Sequence, residues 1–226
     1  MKTMKTKEYL PQCGDGSHGS PRFIKELYEF LNPKSLVLDI GSGFGYKTEY
    51  MIHKDLEVIS FDVDILSLRK LRMRCENSNA ICGDAKYLPF KSSVFNNILA
   101  SEILEHLPEP ELCISEVHRV MKDNGVAVFT TPVFNLHIKY IIKVFRLICG
   151  IDQRSHLHVF STNQLKNHLS KYYIFEDILH RGFTEVLYIK FNFDENGRLD
   201  KKIIKLSKKF RLINLFATKV WIKVKK

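Results

Sequence analysis

The sequence has no apolar run long enough to cross a bilayer, no pair of cysteines at C-x-x-C spacing, and no acidic residue between Lys201 and Lys226. Each absence excludes something. The longest apolar segment, Tyr140 to Ile151, is interrupted by Lys143 and Arg146 and falls short of the roughly 20 residues a spanning helix needs. The opening M-K-T-M-K-T-K-E-Y lacks the apolar stretch of a secretory signal. The five cysteines (Cys13, Cys75, Cys82, Cys113 and Cys149) are odd in number and are read as reduced thiols of a cytoplasmic protein. The acid-free stretch explains the charge. Its nine Lys and one Arg carry +10, the formal net charge of the whole chain, so residues 1–200 sum to zero. The basicity is local, and a nucleic-acid footprint over the whole surface is not expected.

What is there is organised around V-L-D-I-G-S-G-F-G, Val37 to Gly45. Val37, Leu38 and Ile40 form the apolar run of a parallel strand covered on both faces. Gly41, Gly43 and Gly45 let the backbone approach a ligand where a Cβ would collide. A helix from about Tyr46 to Lys54 then points its first N–H groups at the turn. The nicotinamide fingerprint G-x-G-x-x-G does not fit, because Tyr46 stands where its third glycine would be. Asp39 lies inside the motif. Its carboxylate would repel a pyrophosphate but suits the cationic ammonium or sulfonium of an amino-acid-like ligand.

Strand and helix patterns alternate along the chain. After a polar, glycine-containing arm (1–20), read as mobile, Ser20 and Pro21 start a helix carrying Phe23, Ile24, Leu27, Phe30 and Leu31 that Pro33 stops. Further strands are expected at Glu57–Phe61, Ala80–Cys82, Phe95–Ala100 and Val126–Thr131. Helices are expected at Ile65–Cys75 and Glu109–Met121, the latter burying Leu112, Ile114, Val117, Val120 and Met121. Lys122–Gly125 forms a turn. Beyond Pro132 we expect a helix over Leu136–Cys149 and a capping box from Ser161 and Gln164. Last strands follow at Tyr173–Leu179 and Val220–Val224, with an insertion at about Asn192–Phe216 between them. This alternation implies an α/β, doubly wound, mainly parallel sheet in one domain. Residues 21–132 form its core, and 133–226 add a substrate-side lid, the last strands and a basic insertion and tail. Asp39–Gly45, Asp62, Asp84 and Ser101–His106 all fall at strand carboxyl ends, so they should line one crevice.

Asp39 to Gly45 resembles the first motif, [DE]-x-G-x-G-x-G, of class I S-adenosylmethionine-dependent methyltransferases. Leu88–Phe90 and S-E-I-L-E-H-L-P-E-P…H-R-V-M-K-D-N-G-V-A-V-F-T-T-P resemble the middle of that superfamily, closest to the branch with ubiquinone-biosynthesis O-methyltransferases. The resemblance covers roughly residues 20–132. It implies a seven-stranded Rossmann-like sheet with the last strand antiparallel and S-adenosylmethionine as cofactor. Asp39, Gly41, Gly43 and Gly45 would hold its methionine end, Asp62 its ribose hydroxyls, Asp84 and Ala85 its adenine, with Ser101 nearby.

Glu102, Glu105 and His106 are spaced i, i+3, i+4 and would share one face of a helical turn. Glu102 and His106, with His156 or His158 downstream, are candidate catalytic groups, and His156 is preferred. Glu102, Glu105 and His106 also have the composition of a Mg²⁺ or Mn²⁺ site, and the same E-x-x-E-H pattern occurs in metal-dependent relatives. The expected reaction is O-methylation of a small-molecule hydroxyl on a quinone precursor, glycan or lipid-linked intermediate. RNA 2′-O-methylation and a non-catalytic cofactor-binding scaffold are the alternatives. Residues 201–226, with Ile203, Leu206, Phe210 and Ile213 on one stripe among lysines, could meet an anionic membrane or a phosphorylated substrate.

Overall fold

The computed structural model describes residues 21–76, 78–133, 157–158, 160–181 and 219–226. The N-terminal arm, the expected 136–149 helix, His156 and the insertion lie outside the described residues.

Helix α1 (Pro21–Tyr28) precedes β1 (Leu36–Ile40), α2 (Tyr46–Ile52), β2 (Glu57–Asp62), α3 (Ile65–Arg74), β3 (Asn79–Cys82) and β4 (Phe95–Ser101). A 3₁₀ turn (Leu104–His106), α4 (Pro110–Val120), β5 (Met121–Pro132), α5 (Thr162–Leu169), β6 (Ile174–Arg181) and β7 (Lys219–Lys225) complete it. The sheet order is β3-β2-β1-β4-β5-β7-β6. β1 to β5 are parallel, and β7 runs antiparallel between β5 and β6. Strand order reverses between β1 and β4, which makes the crevice above that pair the expected ligand site.

The two sheet faces follow from side-chain alternation. Val37, Val58, Leu99, Val128 and Trp221 pack with Leu27 and Met51 on the α1–α2 side. Leu38, Ile40, Ile98, Phe129 and Ile222 pack with Ile114, Val117 and Leu165 on the α4–α5 side. Buried apolar side chains on both faces are what a central parallel sheet requires.

Three expectations about elements are corrected. α1 ends at Tyr28, earlier than Pro33 suggests, because the chain tightens: Phe30 N–H bonds to Leu27 O (3.1 Å) and Leu31 N–H to Tyr28 O (3.0 Å). In α4 Leu112 is exposed and Cys113 is fully buried in its place. Lys122–Gly125 is looped out within β5 rather than preceding it, since Phe95 pairs with Met121 and Asn97 with Val126. The Ser161–Gln164 capping box is present in both directions.

Candidate active site

The loop after β1 is held from β2. Gly41 N–H donates to Phe61 O (2.8 Å), and Gly43 N–H donates to Asp62 Oδ2 (2.8 Å). All three glycines have positive φ, at 70°, 53° and 82° for Gly41, Gly43 and Gly45. Their surroundings differ. A Cβ on Gly45 would lie 2.5 Å from Leu71 Cγ, whereas one on Gly43 would meet nothing within 4 Å. Gly45 therefore serves helix–loop packing, and Gly43 faces open space along the crevice.

Asp62 is placed as expected. Besides Gly43, it accepts the Asp64 N–H on Oδ1 (2.9 Å). Each carboxylate oxygen keeps a second lone pair, so two ribose hydroxyls can still donate to it. Asp84 is exposed at the end of β3 beside buried Ala85; its Oδ1 accepts the Lys86 N–H (2.9 Å) and its Oδ2 lies 3.8 Å from Lys86 Nζ. Ser101 is buried at the end of β4, its hydroxyl 3.0 Å from that of Thr130. Asp39 differs from the picture of an acid facing the ligand. It is fully enclosed beneath α2, accepting from Thr48 Oγ1 (3.1 Å) on Oδ2, while Oδ1 has no hydrogen-bond partner. Burial raises its pKa, with Lys47 and Thr48 pulling the other way. The open cradle at Gly43 and the spare acceptor capacity of Asp62 fit a ribonucleoside; Asp39 is tied to α2 through Thr48.

The E-x-x-E-H residues do not share a face. Glu102 has φ 55°, a left-handed conformation that breaks helical continuity before the three-residue turn begins, so helical spacing does not apply. Its main-chain N–H donates to Thr130 O (2.9 Å), its Oε1 accepts from Thr130 Oγ1 (3.1 Å), and its Oε2 lies 3.5 Å from Lys219 Nζ. Glu105 turns inward: Oε2 accepts from Thr131 Oγ1 (2.9 Å) and Oε1 has no hydrogen-bond partner. His106 is exposed. Among the described residues no group of three or more His, Cys, Asp or Glu is placed to hold a metal ion, so the Glu102–Glu105–His106 site is not formed.

The Glu105 main-chain O accepts N–H groups from Leu157 (2.8 Å) and His158 (3.0 Å), and Val133 bridges Phe160. Both flanks of residues 134–156 are thereby rooted beside the carboxyl ends of β4 and β5.

Burial, and then the charge of Glu102, pushes the Glu105 carboxyl up from 4.5 to about 7. The unfolded chain ionises this group near 4.5 and the folded chain only near 7, so this contribution to stability is full at low pH and is lost as pH rises through that window. Glu105→Gln keeps an acceptor for Thr131 and removes the titration. Between about pH 5 and about pH 8 the wild type should lose up to about 3 kcal/mol relative to this variant in urea unfolding; parallel pH profiles would contradict the assignment.

In the sequence Lys219 is one lysine of the basic tail. The last strand instead brings it to Glu102, and no local motif announces a contact across so much sequence. The other described tail lysines are also engaged. Lys223 and Lys225 pair with Glu176, and Lys226 lies 3.4 Å from Asp123 and donates to Met121 O. Most of the expected membrane or phosphate segment, 201–218, lies outside the described residues.

A doubly wound sheet with a glycine loop and a strand-end carboxylate at its switch point is the class I methyltransferase architecture. Residues 38–129 match the methyltransferase domain family. The chain is 27% identical over 148 residues to the ubiquinone/menaquinone biosynthesis C-methyltransferase of Wigglesworthia glossinidia brevipalpis, covering 59% of each chain. It is 24% identical over 127 residues to the malonyl-[acyl-carrier protein] O-methyltransferase of Hamiltonella defensa, covering 56% of this chain and 48% of that one. It thus spans about half the length of the curated relatives it matches. A solved S-adenosylmethionine-dependent methyltransferase from Archaeoglobus fulgidus superposes with a TM-score of 0.63 at 20% identity, over 90% of this chain and 91% of that one. Residues 38–129 thus match a methyltransferase domain, and the fold is that of solved S-adenosylmethionine-dependent methyltransferases. No described helix is long and apolar enough to cross a membrane.

Proposed function

We propose that this chain transfers the methyl group of S-adenosylmethionine to a hydroxyl of a small molecule, with a quinone precursor, a glycan or a lipid-linked intermediate as the acceptor class. When bound, the sulfonium supplies an activated methyl group, and the protein's part is to position the acceptor and manage its proton. The observation that carries the reading is Glu102. It stands at the carboxyl end of β4, part-exposed, clamped by Thr130 through both main chain and side chain. A non-glycine residue held in the left-handed region is strained, and such strain concentrates at functional sites. In this reading Glu102 accepts the hydroxyl proton, and His106 and His156 orient the acceptor.

Carbon methylation of a quinol ring is the second reading, favoured by the name of the Wigglesworthia relative. Incubating the full chain with methyl-labelled donor and a panel of phenols, catechols, glycans and polyprenyl quinols separates the two. Label in a base-stable O–CH₃ group supports the proposal. Label on a ring carbon, or incorporation into RNA in place of the small molecules, would overturn it.

A further inference from the structure

The segment between β3 and β4, residues 83–94, has no regular secondary structure, yet it carries Asp84 and Ala85. Its main chain at Leu88 and Phe90 is held by side chains of α4. Arg119 donates from Nε to Glu116 Oε1 (2.7 Å) and from Nη2 to Glu116 Oε2 (2.8 Å), a two-point ion pair. The same guanidinium donates to Phe90 O (2.7 Å) and Leu88 O (3.0 Å), while Glu116 Oε2 accepts the Leu88 N–H (2.8 Å). The pair thus offers one acceptor and two donors to the chain, as a neighbouring strand would. At the N-cap of α4, Glu109 Oε2 lies 3.3 Å from Lys86 Nζ, and that ammonium is 3.8 Å from Asp84 Oδ2. Leu88 is buried, and the Phe90 ring packs edge-on to Phe95 at 4.9 Å, so the segment cannot slide once its main chain is fixed.

We infer that the Glu116–Arg119 pair is a positioning device for nucleobase recognition: by clamping Leu88 and Phe90 it sets where the Asp84 carboxylate stands, and so selects a purine bearing a 6-amino group. This rests on the reading of the crevice as an S-adenosylmethionine site. Lysine cannot replace Arg119, because a point ammonium cannot make the planar fork.

The test is calorimetry of the full chain with S-adenosylhomocysteine and with S-inosylhomocysteine, which carries a 6-oxo group that Asp84 cannot accept from. The wild type should prefer the adenine compound. Arg119→Lys and Glu116→Gln should each weaken its binding by about tenfold or more and bring the adenine-to-hypoxanthine preference towards unity. Having two variants keeps the test open if one does not fold. Binding that weakens equally for both compounds, with the preference unchanged, would mean the pair is only structural and would overturn the inference. Wild type that binds neither compound would instead sink the cofactor reading itself.

Discussion

Gly43→Ala is expected to weaken S-adenosylhomocysteine binding by roughly ten- to hundredfold while costing only about 1–2 kcal/mol of stability. Gly45→Ala should do the reverse. Both positions have positive φ, so the two variants share the backbone penalty of placing a side chain there. They differ in what the new methyl meets. At Gly45 it would sit 2.5 Å from Leu71 Cγ and 3.0 Å from Leu71 Cδ1, on a fully buried side chain of α3, so overpacking adds about 1–3 kcal/mol. At Gly43 it would enter the open crevice, where only a ligand can be displaced. Urea unfolding and calorimetry on both variants check the contrast. Equal loss of affinity in the two, or a Gly43→Ala variant that binds like wild type, would mean the crevice does not run past Gly43.

The second large effect belongs to Asp62. Asp62→Ala removes the acceptor for the Gly43 and Asp64 N–H groups and the proposed partner of two ribose hydroxyls. Hydrogen bonds to a charged group contribute about 1.5–3 kcal/mol each, so affinity for S-adenosylhomocysteine should fall about a hundredfold or more. Asp62→Asn should fall between. Its amide can accept one of the two main-chain N–H groups but must turn its NH₂ towards the other, so the glycine loop loses one tie. The side chain's acceptor sites for ribose are also cut. An alanine variant with wild-type affinity would remove Asp62 from the site.

Much of the architecture could be read from local pattern, and the site only in part. The apolar runs of β1 and β4, the turn glycines and the Ser161–Gln164 cap depend on neighbours a few residues away, and those appear where expected. The Glu102, Glu105 and His106 grouping failed because a helical spacing was applied to residues that do not all sit on a helix. The left-handed backbone at Glu102 has no sequence signature in a non-glycine residue. Asp39 reads from the motif as an acid facing the ligand; its enclosure beneath α2 beside Thr48 depends on how the helix packs, which no local pattern carries. Lys219 and Arg119 were invisible for a third reason. Their partners are brought by sheet topology and by an irregular loop, through contacts whose sequence separation carries no period.

The crevice between β1 and β4 is expected to hold a single ribonucleoside. Titrating the wild-type chain with S-adenosylhomocysteine and, separately, with NAD measures this. One molecule of the sulfur nucleoside bound per chain, and no heat from the dinucleotide, is the predicted result. Binding of NAD, or no binding of either, would contradict it.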